Sequence, residues 1–162
     1  MFFKSSKIKI KISDMPQHLM QTSVGAVGKL RGFNDVDNIR SLTVNLAYFY
    51  AVAKMQMSGL ASYETIESIM NKSVDLIKNV VGTKPGWDSF SYNFETSYNN
   101  AYANLKKSGN SENVFGEFSK LYVNDLYQKE ITDNTIITVG ESLTKQIYEL
   151  VSIFTSNIKI VK

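Results

Sequence analysis

Between Ile39 and Ala53 the chain leaves almost no polar face: Ile39, Leu42, Val44, Leu46, Phe49, Tyr50, Val52 and Ala53 are spread round every side of a helix at 100° per residue. A helix that is apolar all round must be enclosed by others, so this segment is expected at the centre of a helical bundle. Its richest part, Leu42 to Ala53, is about 12 residues long and contains Asn45, whereas a membrane span needs roughly 20. Asn34, Asp35 and Asp37 supply caps and acids at its start, and Ser58-Gly59 stops it.

Five further segments have helical periodicity. Asp14-Met15-Pro16-Gln17 announces a first helix, expected to run to about Arg31, with a stripe of Leu19, Met20, Val24, Val27 and Leu30. Gly25 and Gly28 within it imply close helix packing or a break. Ser62 caps a third helix in which Ile66, Ile69, Met70, Val74, Ile77 and Val81 recur before Gly82. After the turn Thr83-Lys84-Pro85-Gly86, Trp87, Phe90, Phe94, Tyr98, Ala101, Tyr102 and Leu105 fall in one sector of a fourth. Ser108-Gly109-Asn110-Ser111 separates it from a fifth, with Val114, Phe118, Leu121, Tyr122 and Leu126. In the sixth, a Thr138-x-x-Glu141 capping box precedes Leu143, Ile147, Leu150 and Phe154, a coiled-coil-like seam that suits pairing within the chain or self-association. The β-branched run from Thr135 to Val139 reads either as the start of that helix or as a short third strand.

The ends differ from the body. Lys7-Ile8-Lys9-Ile10-Lys11-Ile12 alternates at period two, and Ile158-Lys159-Ile160-Val161-Lys162 partly repeats it. Residues 7–12 and 158–162 are therefore expected to pair as a β-ribbon that lays isoleucines on the helices, since a lone ribbon is marginal in water. The fold class expected is mainly α: one domain over residues 1–162, an irregular bundle of about six helices with a minor terminal ribbon.

Composition removes several functions. The chain has no cysteine and one histidine, His18, which excludes thiolate nucleophiles, disulfides, Cys-ligated metals and a multi-histidine site within one chain. No cofactor and no metal are expected. Glu64, Glu67 and Asp75 share a helix, but the Glu-x-x-His pair of di-iron bundles is missing, so they read as a solvated face. Gly25-Ala26-Val27-Gly28-Lys29 departs from a phosphate loop in spacing and lacks the following Ser or Thr. Lys7, Lys9 and Lys11 interrupt every apolar run near the start, so no secretory leader is expected and the expected compartment is cytoplasmic.

Two surfaces remain as candidates. On the fourth helix Tyr92 projects away from the aromatic stripe, in company with Asn93, Asn99, Asn100 and Asn104, and tyrosine with asparagine makes an adaptable contact surface. The net charge of +3 is concentrated in the tails, where Lys7, Lys9 and Lys11 line one edge, while Arg31 and Arg40 are the only arginines. The first reading is a non-enzymatic, cytoplasmic protein-binding domain, such as an inhibitor or immunity-type protein that covers its partner. The second is electrostatic attachment to nucleic acid or an anionic membrane through the lysine-rich ends. A third is a small-ligand carrier or enzyme using Tyr, Asp and Glu.

Overall fold

The computed structural model describes residues 6–30, 32–108 and 114–162, without the side chains of Val114 and Phe115. Among them are six helices and a two-stranded sheet: β1 (Ile8–Lys11), α1 (Met15–Val27), α2 (Asn38–Met57), α3 (Tyr63–Val81), α4 (Phe90–Ser108), α5 (Val114–Tyr127), α6 (Asn134–Asn157) and β2 (Ile158–Val161). The chain is mainly α, with the sheet built from its two ends. Arg31 and residues 109–111 of the expected turn lie outside the described residues.

α2 is the central element. Every residue from Thr43 to Ala53 is buried, and the helix packs on α4 above all, then on α6, α1, α5 and α3. Its start follows from local chemistry, because the Asp37 carboxylate accepts the Arg40 main-chain N–H at 3.1 Å. Ser62 caps α3 in the same way, accepting from Thr65 N at 3.3 Å. The stripe on α3 is buried at Ile66, Ile69, Met70, Ile77 and Val81, with Ser73 in line and Val74 half-buried.

Three boundaries differ from the expectation. α1 ends at Val27 rather than near Arg31, because Gly28 closes the last turn by donating to Val24 O at 3.1 Å. Gly25 faces open space, so of the two expected alternatives, close packing or a break, the chain takes the break, at Gly28. Asp14 is itself in the helical region and makes no side-chain cap; its carbonyl accepts from His18 N. α4 begins at Phe90, with Trp87 in the preceding turn. α6 begins at Asn134, because Asp133 accepts from Thr135 N at 2.8 Å and caps the helix earlier than the Thr138 box would. Residues 135–139 are therefore helical, and Thr138 Oγ1 donates to Asn134 O within the first turns. The buried line on α6 runs Leu143, Thr144, Ile147, Val151 and Thr155, with Leu150 and Phe154 only half-buried. That width lets α6 pack on α5 and α2 together rather than on one coiled-coil partner.

The terminal strands pair in parallel, Ile8 with Ile158, Lys9 with Lys159 and Ile10 with Ile160. Ile10 and Ile158 are buried against the bundle, but Ile8 is 62% exposed, so only part of the isoleucine face reaches the core. Lys9 directly opposite Lys159 places like charges side by side, which weakens the pair modestly.

Candidate functional site

The tyrosine singled out on α4 stands free. Tyr92 is 75% exposed, and beside it Asn93 is half-buried at the edge of a cleft of 330 Å³ between α2, α4 and α5. Ser97, one turn on, continues the α4 wall, α2 contributes Arg40, and α5 contributes Asn124 and Asp125. Gln128 ends α5 with φ 53°, the left-handed region, and Lys129 follows it on the opposite wall.

The cleft is anchored at Asp125. The Tyr48 hydroxyl, from the middle of α2, donates to Asp125 Oδ2 at 2.9 Å, and Arg40 Nη1 donates to the Asp125 main-chain oxygen at 3.4 Å. Burial holds the Asp125 carboxyl above the usual carboxylate range, offset by the hydroxyls of Tyr48 and Ser97 and by the Arg40 guanidinium. Burial also pushes Tyr48 well above the ordinary tyrosine value, and the neighbouring Asp125 adds to it. A carboxylate, a guanidinium and the Ser97 hydroxyl thus line one concave surface whose rim carries an exposed aromatic ring, with the buried Tyr48 hydroxyl holding the carboxylate from behind. Such a set can exchange hydrogen bonds of both polarities with a docked group.

The other predicted residues divide. Asn99 and Asn100 are exposed and follow Tyr92 and Asn93 by seven residues, so they continue the same side of α4 beyond the cleft without lining it. Lys7, Lys9 and Lys11 are exposed on the terminal ribbon, and no ribbon residue lines the cleft. His18 is exposed, as are Glu64 and Asp75. Glu67 departs from the solvated-face reading: it is half-buried and pairs with Lys54 Nζ at 2.7 Å, while that ammonium lies 4.4 Å from the Tyr102 ring centroid. Gly25 to Lys29 occupies the C-terminal end of α1, where the helix dipole disfavours a phosphate.

Arg40, Tyr48 and Asp125 were not singled out as site residues from the sequence. Asp125 precedes Leu126 within an otherwise regular apolar stripe, and Arg40 lies in the first turn of the most apolar helix, but only the packing of α2 on α5 joins them. Among the described residues no group of three His, Cys, Asp or Glu is placed to hold a metal ion, and no helix is long and apolar enough to cross a membrane. Comparison of the chain with family models, with curated proteins and with solved structures gives no match in any of the three.

Proposed function

We propose that this chain is a non-enzymatic protein-binding domain, of the inhibitor or immunity type, which docks on its partner through the α4 and α5 face that Tyr92 dominates. The observation that carries this reading is the exposed Tyr92 ring at the rim of a cleft whose base holds Arg40 and Asp125. A tyrosine offers a large contact area at a small entropic cost, and tyrosine and arginine dominate the energetics of protein interfaces. Asn93, Asn99 and Asn100 supply the adaptable hydrogen-bonding surround.

The competing reading uses Lys7, Lys9 and Lys11, which are all exposed at the ribbon and would give nucleic acid or an anionic membrane a basic edge. One experiment separates the two. The purified protein is used to capture partners, with low-salt and then high-salt washes, in parallel with Tyr92→Ala/Asn93→Ala and Lys7→Ala/Lys9→Ala/Lys11→Ala variants. The expected result is one stoichiometric protein that resists the high-salt wash, is retained by the lysine variant and loses at least about tenfold in affinity to the Tyr92 variant. Nucleic acid or lipid released by salt and lost with the three lysines would replace this reading with the second.

A further inference from the structure

In the cleft between α2, α4 and α5, acceptors of α5 are spent inside the fold while the strongest donors are not. Asp125 Oδ2 accepts from the Tyr48 hydroxyl at 2.9 Å, the Asp125 main-chain oxygen from Arg40 Nη1 at 3.4 Å, and Asn124 Oδ1 from Ile131 N at 2.7 Å. The last bond also sets the orientation of the Asn124 amide, so that its NH2 end is the one left to donate.

The donors left over are cationic. A guanidinium carries several N–H groups, and the half-buried Arg40 side chain spends only Nη1 on the fold, with no ion pair to the Asp125 carboxylate. Lys129, exposed on the opposite wall, forms no ion pair among the described residues. The neighbouring acids are engaged elsewhere: Asp37 accepts from Arg40 N at the start of α2, and Glu130 pairs with Lys120 at 3.9 Å. The charged groups that line the cleft are therefore two cations, Arg40 and Lys129, and one carboxylate, Asp125, which Tyr48 already holds. That balance calls for one further negative charge, and a planar carboxylate matches the paired N–H groups of a guanidinium. A phosphate dianion would bring a second charge that faces Asp125 uncompensated.

We infer that an acidic side chain of the protein partner, Asp or Glu, enters this cleft and pairs with Arg40, drawn in by Lys129 on the opposite wall. This rests on the reading of the α4 and α5 face as a docking surface and adds what the partner must carry there. A lysine or arginine of the partner would instead set a third cation beside Arg40 and Lys129, and like charges juxtaposed across an interface are strongly unfavourable.

The test needs no partner. N-acetyl-glutamic acid α-amide, which carries a single side-chain carboxylate, is titrated into the ¹⁵N-labelled protein at constant ionic strength, and the Arg40 Nε–H and the side-chain amides of Asn93 and Asn124 are followed. N-acetyl-glutamine α-amide, N-acetyl-lysine α-amide and inorganic phosphate are the neutral, cationic and dianionic counterparts. The expected result is saturable shifts in the millimolar range with the glutamate probe, and binding weaker by about tenfold or more with each counterpart. Lys129→Glu, at an exposed position, and Arg40→Gln should each weaken the amide shifts by about tenfold or more with helicity unchanged, whereas Lys7→Ala/Lys9→Ala/Lys11→Ala should leave them intact. Should Arg40→Gln fail to fold, Lys129→Glu alone decides. No saturable shift with the glutamate probe, equal or tighter binding of any counterpart, or binding that survives Lys129→Glu would overturn the inference. The capture experiment separates this failure from that of the docking reading. A silent glutamate probe, with a captured protein still lost on Tyr92→Ala/Asn93→Ala, overturns the acidic chemistry alone; a glutamate probe that binds where the face captures no protein contradicts docking alone.

Discussion

α2 is buried on two sides by different chemistry. Toward α4 it meets a column of rings: Phe90 stacks on Phe94 at 5.5 Å, Phe94 on Tyr98 at 6.0 Å, and Tyr50 of α2 meets Phe94 edge-on at 5.5 Å. Toward α5 it also presents rings, with Tyr48 and Tyr122 edge-on at 5.1 Å, but here the hydroxyls are matched: Tyr48 to Asp125 and Tyr122 to Asn45. On the α4 side the Tyr50 hydroxyl has no hydrogen-bond partner among the described residues, and the nearby Ser23 hydroxyl donates to Met20 O. The ring column fills space on the buried face of α4, while Tyr92 and Asn93 on the other face of that helix reach the cleft. The matched side holds polar groups at depth, and the cleft between α2, α4 and α5 opens beside them at Asp125. Apolar ring packing and matched polar pairs thus occupy different flanks of one helix.

The largest effect should come from alkali, which attacks both flanks together. Burial raises the pKa of Tyr48, Tyr50, Tyr98 and Tyr122 above the ordinary value of about 10. A raised pKa contributes stability that is complete below pH ~10 and is lost as pH rises toward the folded value. Titration followed by phenolate absorbance should show these four tyrosines ionising only with unfolding, seen as simultaneous loss of circular dichroism. Ionisation of all nine tyrosines with helicity intact would contradict the enclosed position of α2.

Next in size is the ring column. Phe94→Ala removes the member that touches Phe90, Tyr98 and Tyr50 and should cost ~3–5 kcal/mol in urea unfolding, a large part of a typical domain's stability. A loss below about 1 kcal/mol would show that the column is not the structural flank.

The hydroxyls sharpen the contrast. Tyr122→Phe strands the Asn45 carbonyl and should cost ~1–3 kcal/mol, whereas Tyr50→Phe deletes an unpartnered group and should be neutral or slightly stabilising. Equal costs for the two would erase the difference between the flanks.

The smallest effect expected is that of Asp125. With its pKa raised in the fold, its contribution is present below the unfolded value of about 3.9 and is lost as pH rises through the folded value. Stability of the wild type should therefore fall over that window relative to Asp125→Asn, whose dependence should be flatter. A wild type that instead gains stability over Asp125→Asn as pH rises through that window would mean that Tyr48, Ser97 and Arg40 outweigh burial at the base of the cleft.

Much of this arrangement is legible in the sequence because it is local. The all-round apolar run predicts a central α2, and the Ser62 and Gly82 signals bracket α3 to the residue. The start of α6 stays open in the sequence because two capping patterns compete, and Asp133 reaches an N–H one turn before Thr138 is in a position to do so. The alternation of the ends predicts strands, but whether they run parallel depends on where α6 delivers the chain, which no local pattern encodes. The same limit governs the site. Tyr92 and Asn93 are found by their angle on one helix, whereas Arg40 and Asp125 are 85 residues apart and meet only through packing. Asn45 is visible in the sequence as a lone polar residue in an apolar run, yet its role depends on Tyr122, 77 residues on.

The central claim is that recognition belongs to the α4 and α5 face and not to the lysine ribbon. Amide hydrogen exchange, compared between the free protein and its complex with the captured partner, tests this directly. The account predicts slowed exchange at residues 89–97 and 124–129, with residues 8–11 unchanged. Protection confined to residues 8–11, with the Tyr92 face exchanging as in the free protein, would contradict it.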